Sequence, residues 1–478
     1  GAERKSLIQQ FLGESLMMSL VAFVIALMIV EILLPAFSHI SGKNLSLSFL
    51  NHWFIITGFF ILSIVTGLFA GTYPAFYLSS FKPVKVLKGR FSNSLSAVAL
   101  RKGLVVFQFI ISVVLIIASV VIGDQMKYMR TTDLGFAKDQ QIIIPLRSTS
   151  AKNIYTSLKN DLRNNPQVQE AGGAFYYPGI MNPSDIGLYK EGKTVNDARI
   201  VHTNAVDESF LQTLEIKPVA GRLFSKEFPS DTTNSLIVNE EAIKQIGFSS
   251  PQEAVGSKVY FDFRGQTMPF IIVGVVKDFH FQDLHAPIEP YAFQLNISSN
   301  HNYLMVHAKA ADISSLLQSI EKSWHNLNPN EPFEYSFLDE DFQKNYEAEN
   351  RLFSIVKHFT LIAILISCLG LFGLATFSAE QRTKEIGVRK VLGASVASIV
   401  TLLSKEFLQL VAISIVIASP IAWYAMSKWL QDFAYRTNIN WTVFVITAIV
   451  ALLIALITIS IQAIKAAFSN PVKSLRTE

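Results

Sequence analysis

Six stretches of this chain are long and apolar enough to cross a lipid bilayer, and that property restricts every other choice of fold. They lie at about 15–36, 53–76, 104–123, 358–379, 407–427 and 442–464. Each reaches the roughly 20 residues that a helix needs to traverse the hydrocarbon core. Inside lipid no water is present to satisfy backbone N–H and C=O groups, so segments of this kind are predicted to be helical. Half of all residues are hydrophobic and only 16% are charged, against roughly 25% charged in soluble domains. The interval 125–351 has ordinary soluble composition. The predicted fold class is therefore a membrane all-α bundle of six transmembrane helices plus one mixed α/β extracytoplasmic domain with a strand-rich insertion.

Charge sets the orientation. Lys82, Lys85, Lys88, Arg90, Arg101 and Lys102 fill one short loop, and Arg382, Lys384, Arg389 and Lys390 fill another. Arg4, Lys5, Lys465, Lys473 and Arg476 lie at the chain ends, on the same side. The opposite short loops, 37–52 and 428–441, offer only Lys43, Lys428 and Arg436. By the positive-inside rule the basic loops are cytoplasmic and the large domain lies outside. The same asymmetry explains the basic loops without nucleic acid. The single cysteine, Cys368, lies within an apolar run, so the outer domain must be held by its own core and not by disulfides.

Within 125–351, Gln141–Leu146 reads as a short strand, Asn153–Asn165 as a helix and Val168–Tyr176 as a second strand. Tyr303–His307 reads as a strand, and Ile313–Leu327 as a helix with Leu316, Leu317, Ile320 and Trp324 on one face. Phe333–Leu338 alternates like a further strand. The insertion, about 200–295, is predicted to hold a strand at Ser235–Val238, a helix at Glu240–Ile246 stopped by Gly247, and a hairpin of Val259–Phe263 with Phe270–Val276 across Arg264-Gly265. From Asp339 to Ala379 no proline occurs and glycine appears only deep in the apolar part, which predicts one continuous stalk helix.

Two distant parts of the chain repeat each other. Gly1-Ala2, Ser6-Leu7-Ile8 and Glu14 match Gly393-Ala394, Ser398-Ile399-Val400 and Glu406. Pro83–Lys88 matches Pro471–Arg476, in a register that differs by about four residues. A duplicated block of two apolar spans with a basic exit is expected from this pattern.

The segment Gln381-Arg382-Thr383-Lys384-Glu385-Ile386-Gly387-Val388-Arg389-Lys390-Val391-Leu392-Gly393-Ala394 closely resembles the MacB/FtsX/LolE family of ABC-transporter permeases, the mechanotransmission ABC systems. Asn470-Pro471-Val472 near the end and Val273–His280 in the outer domain are similar to further segments of that family. The resemblance implies four domains: 1–101, the last two spans of a first permease unit with a basic cytoplasmic loop; 102–124, a span; 125–351, a periplasmic MacB-like domain; and 352–478, three spans with a cytoplasmic coupling segment at 380–398. The chain is then expected to be the C-terminal part of a duplicated permease with roughly eight spans.

The resemblance further implies that Arg382, Lys384, Glu385, Ile386, Gly387, Arg389, Lys390, Gly393 and Ala394 dock into a separate cytoplasmic ABC ATPase dimer. Gly1, Ala2, Glu3 and Arg4 are the corresponding residues of the first copy. ATP–Mg would be held by that ATPase, with no cofactor in this chain and no enzymatic activity of its own. The setting would be the bacterial inner membrane, multi-pass, with the large domain in the periplasm. The implied function couples ATP hydrolysis to movement of the periplasmic domain, for export of a peptide, drug or lipoprotein. The alternative is an FtsX-like regulator that transports nothing and activates a periplasmic cell-wall hydrolase. Outside partners under the two readings are an adaptor with an outer-membrane factor, or the hydrolase.

Read as residues, Glu385 and Arg389 are spaced to pair on one helix face, and Gly387 leaves room for another backbone. The sequence holds no Gly-x-x-x-x-Gly-Lys-Ser/Thr, no His-Glu-x-x-His and no Gly-x-Ser-x-Gly, so it lacks a P-loop and the minimum equipment of zinc proteases and hydrolases. Asp278, His280, Asp283 and His285 invite a metal reading. Their interleaving with Phe279, Phe281 and Leu284 instead predicts a strand-to-loop turn.

Overall fold

A computed structural model of the chain describes residues 4–45, 53–79, 95–298, 300–309 and 312–468. The chain divides into two compact units: one of residues 1–122, 350–425 and 439–478, and one of residues 123–349 and 426–438. The basic repeat motifs at Pro83–Lys88 and Pro471–Arg476, Asn470-Pro471-Val472, and Gly1, Ala2 and Glu3 lie outside the described residues.

The first unit is built on six membrane-length helices among the described residues. They are Arg4–Ser41, Trp53–Ser79, Leu95–Thr131, Glu347–Gln381, Val396–Leu430 and Trp441–Phe468, called spans one to six below. Each outruns its apolar run. Lipid gives helices no hydrophobic reason to associate, so small and hydroxylated residues make the contacts. Ser112 and Ser367 join spans three and four through their hydroxyls at 2.9 Å, and the Thr360 hydroxyl donates to the Leu115 carbonyl at 3.1 Å. The Ser414 hydroxyl donates to Val106 O at 3.1 Å, tying span five to span three. Spans one and two pair through Ser19 and Ser63, each donating to the other's carbonyl at 2.6 and 3.0 Å. At Gly71 a Cβ would lie 2.9 Å from the Ser15 Cβ, so the two backbones approach closely there.

The second unit is a sheet of eleven strands among the described residues. β1 (Gln141–Pro145), β10 (Tyr303–Ala308) and β2 (Val168–Ala174) run antiparallel. The helices Tyr155–Arg163 and Ile313–Leu327 cover them, burying Ile142, Ile144, Leu158, Leu162, Val306, Leu316, Ile320 and Trp324. Ile313–Leu327 starts at Asp312, whose carboxylate accepts the Ser315 N–H at 3.2 Å, a side-chain N-cap. β2 carries Gly172 where a Cβ would fall 2.5 Å from Phe210 Cα, which lets the next turn press directly on the sheet.

The remaining strands close on themselves. β4 (Arg199–Val206) pairs β3 (Asp185–Lys190), β3 pairs β7 (Lys258–Phe263), and β7 pairs β8 (Gln266–Val276). β8 pairs β6 (Ser235–Asn239), β6 pairs β9 (Tyr291–Leu295), and β9 returns to β4. Leu188, Val201, Val238, Val259, Ile272 and Ala292, one from each strand, share a core with Ala242, Ile243 and Ile246 of the helix Glu240–Ile246. The hairpin turn has positive φ at Arg264 (52°) and Gly265 (80°), the handedness that suits twisted strands. Gly247 stops its helix at φ 100°, as read from the sequence.

Three expectations are corrected. The ring begins at Asp185, so the insertion starts before 200. Phe333–Leu338 forms only the two-residue β11 (Ser336–Phe337); Phe333 packs instead on the Trp324 ring at 6.0 Å. The stalk is not one helix: Leu338–Lys344 and Glu347–Gln381 are separated at Asn345 and Tyr346. Tyr346 is drawn into the domain, 2% exposed, where its hydroxyl accepts the Leu284 N–H at 3.0 Å. Asn345 meanwhile donates to Gly179 O at 2.8 Å.

A buried carboxylate ties the helix Tyr155–Arg163 to the turn after β4. The Asp207 carboxylate accepts from the backbone of Ser209 and Phe210, both at 2.9 Å, from Lys159 at 2.5 Å, and from the Tyr155 hydroxyl. Lys159 also meets Glu208 at 3.0 Å. Burial alone would raise the Glu208 pKa, but Lys159 and Lys226 outweigh it and pull it down to about 2.

Candidate coupling site

Span four ends at Gln381, and the chain turns at Arg382 into the short helix Thr383–Val391. Among its described side chains, Ile386 seats this helix. Ile386 is 3% exposed and packs with Ile399 of span five and Ala463 of span six, flanked by Ala394, Val396 and Val400. Gly387, beside it, is buried. The opposite face is open: Glu385 and Arg389 pair at 2.8 Å with both side chains about half exposed, and Val388, Val391 and Leu392 are exposed apolar neighbours. A surface combining both charge signs with uncovered aliphatic side chains is suited to receiving another protein.

The ends of this helix are fixed. At its start, Arg382 donates to Glu406 at 2.5 Å, and the same carboxylate meets Lys102 at the foot of span three at 3.5 Å. Arg101 lies 4.4 Å over the Phe377 ring. At its close, Ala394 N–H bonds to Arg389 O at 2.9 Å and Gly393 N–H to Lys390 O at 3.1 Å, with Gly393 at φ 91°. That pair of bonds with a left-handed residue is a Schellman close, and it explains why glycine stands at 393.

The structure thus brings Arg382, Glu385, Ile386, Gly387, Arg389, Lys390, Gly393 and Ala394 into one helix and its two ends. Lys384 lies in the same helix and Arg4 in span one, but their side chains lie outside the description. Glu406 is the member that residue-by-residue reading missed. Its signal was present in the repeat, where it is the counterpart of Glu14.

In the second unit, the connection between spans five and six is held from one side by span three and from the other by residues 280–288, which the start of span four also meets. From span three, Gln125 is fully buried. Its amide donates to Tyr435 O at 3.0 Å and accepts from Thr437 N at 2.8 Å. From the span five–six connection, Ala434 and Tyr435 N–H groups donate to His285 O and Leu284 O at 3.1 and 3.2 Å. The Tyr435 hydroxyl accepts Ile288 N–H at 3.2 Å. From the start of span four, Glu349 lies 3.3 Å from His285 Nε2, while Asp283 lies 3.1 Å from its Nδ1. The imidazole stacks on Phe433 at 4.4 Å.

A neutral imidazole has one N–H, so carboxylates at both nitrogens favour the cationic ring. The hydrogen bond to Asp283 raises the His285 pKa against the opposing effect of burial, with Glu349 adding to the rise. Burial would raise Asp283, but the His285 bonds hold it below its usual value. His280 is different: burial lowers its pKa, and its ring meets Tyr435 edge-on at 4.5 Å. The two histidines therefore face separate partners. Among the described residues no group of three or more His, Cys, Asp or Glu is placed to hold a metal.

The architecture defines a multi-pass membrane protein with a mixed α/β periplasmic-type domain and a short amphipathic helix between two spans. Residues 1–83 and 358–471 match the FtsX-like permease C-terminal family, and residues 103–323 match the MacB-like periplasmic core domain. The chain belongs to the MacB/FtsX-type ABC transporter permeases. It is 22% identical over 381 residues to the uncharacterized ABC transporter permease YknZ of Bacillus subtilis (strain 168), covering 77% of this chain and 92% of that one. It is 24% identical over 258 residues to the macrolide export ATP-binding/permease protein MacB of Aggregatibacter actinomycetemcomitans, covering 52% of this chain but only 37% of the relative. The solved periplasmic region of MacB from Actinobacillus actinomycetemcomitans superposes with TM-score 0.32 at 14% identity, over 45% of this chain and 96% of that one.

Proposed function

We propose that this chain is the permease part of a mechanotransmission-type ABC system in a bacterial inner membrane. A separate cytoplasmic ABC ATPase, loaded with ATP–Mg, engages the helix Thr383–Val391, and its closure moves the spans. Motion passes through the ends of spans three, four and five–six to the periplasmic domain, which acts on a peptide, drug or lipoprotein for export. The observation that carries the reading is the build of that helix. A single apolar anchor, Ile386, holds it on the spans while Glu385, Val388, Arg389, Val391 and Leu392 face outward.

The test is stimulation of ATP hydrolysis by the partner ATPase in lipid. Arg389→Glu is expected to reduce stimulation by about tenfold, the equivalent of about 1.4 kcal/mol of docking energy. The exchange Glu385→Arg with Arg389→Glu keeps the helix pair, so it restores stimulation only if the pair serves the helix alone; continued loss assigns Arg389 to the partner. Full stimulation by Arg389→Glu alone would overturn the reading.

A further inference from the structure

The internal repeat supplies its own control, because the same kind of span pair is seen twice in different surroundings. Glu14 and Glu406 set the register between spans one and five, and Trp53 and Trp441 set it between spans two and six. In the second copy one stripe of span five, Val411, Ser414, Ala418 and Ala422, is fully buried. Ser414 there reaches the backbone of span three at Val106. The corresponding residues of span one are Ser19, Ala22, Ala26 and Val30, and the last three are exposed. Span six behaves likewise. Val443 and Thr447 are 7% and 1% exposed, whereas their counterparts in span two, Ile55 and Phe59, are 53% and 58% exposed. Ser19, Ala22, Ala26, Val30, Ile55 and Phe59 line one apolar groove between spans one and two.

Charge makes a second, separate contrast at the foot of the groove. Glu406 is met by Lys102, the basic residue at the base of span three, as well as by Arg382. Glu14 is met by the Gln10 amide at 3.1 Å and, among the described residues, by no cation. The groove therefore presents a small-residue wall above a carboxylate, in the same arrangement that receives span three in the second copy. Lipid chains would cover the wall but supply no positive group to Glu14.

We propose that the groove between spans one and two is the seat of a further transmembrane helix built like span three. That helix carries a lysine or arginine at its cytoplasmic foot, placed to meet Glu14. One turn deeper it presents a backbone close enough to lie against Ala22 and Ala26. Small-residue faces of this kind let helices approach closely in lipid, and a carboxylate near the membrane surface gains from a basic partner.

The probe is a synthetic peptide of residues 95–131 with Val106→Cys, added to the full chain in nanodiscs. The chain carries Cys368→Ser and either Ala22→Cys in the groove or Ile32→Cys on the lipid-facing side, where Ile32 is 76% exposed. Disulfide formation is expected at Ala22→Cys at about ten times the Ile32→Cys yield, a preference of about 1.4 kcal/mol. Glu14→Lys should remove that preference, and a peptide that also carries Lys102→Glu should recover it. Equal yields at the two positions would overturn the proposal and leave the groove to lipid. Failure of the charge exchange to recover the yield would also overturn it. So would efficient linkage of Ala22→Cys to Ala22→Cys between two chains without peptide, since that would put a second copy in the groove.

Discussion

The short helix Thr383–Val391 and the clasp around His285 both join segments distant in sequence, yet they are built on opposite plans. The helix rests on one buried isoleucine, and its ion pairs are half open to water. The clasp uses a fully buried glutamine amide, several backbone hydrogen bonds and a stacked imidazole between two carboxylates. Exposed ion pairs contribute little, about 0.2–1 kcal/mol each, whereas a buried polar group that loses its partner costs about 1–3 kcal/mol. The first arrangement suits a surface that meets and leaves a partner. The second suits a joint that stays closed.

The difference can be tested from its strongest element downward. Within the same domain, Asp207→Ala would leave Lys159 buried without its closest carboxylate. A loss of about 3–5 kcal/mol is expected, visible as early thermal unfolding followed by the fluorescence of Trp324. Gln125→Ala should cost about 1–3 kcal/mol and speed amide exchange at 434–437 while leaving exchange at 383–391 unchanged. If exchange at both places rose together, the two joints would not be independent. Ile386→Ala is expected to loosen Thr383–Val391 by about 2 kcal/mol, read as faster proteolysis there without a change in the periplasmic domain.

The clasp should also answer to pH. The His285 pKa is raised on folding, so its contribution is complete below the ordinary histidine value of about 6.5 and is lost as pH rises through the raised value. The thermal midpoint of the domain should therefore fall on going from about pH 6 to about pH 9, and His285→Gln should flatten that slope. An unchanged slope would remove the imidazolium from the clasp. The smallest effect belongs to Glu385→Ala, where losing the pair with Arg389 costs the helix about 0.3–0.5 kcal/mol, detectable as slightly faster exchange at 386–391.

Much of this was legible from residue order. Ile313–Leu327 showed its helix through the period of its apolar face, and Val259–Val276 showed its hairpin through Arg264-Gly265, because local chemistry decides both. Short strands such as β3 and β9 carried no comparable signal, since they are fixed by neighbours far along the chain. Phe333–Leu338 alternated like a strand, but Phe333 packs on Trp324 and Tyr335 stacks on Phe333. The stalk read as continuous because nothing in Asp339–Ala379 forbids helix; Tyr346 breaks it by bonding to Leu284, a partner invisible to local pattern. The composition of the helix Thr383–Val391 was plain, yet its anchor to Ala463 and its clamp by Glu406 depend on how the spans meet.

The closed circuit of β4, β3, β7, β8, β6 and β9 has a consequence for life outside the cytoplasm. Among the described strands only β11, two residues long, and β5 (Pro218–Gly221), which begins with a proline, have a single neighbour. A foreign strand finds little backbone to template on, the route by which exposed sheets aggregate. With its one cysteine at position 368, beyond the domain, this fold should reach and keep its shape without oxidising catalysts and be indifferent to added thiol.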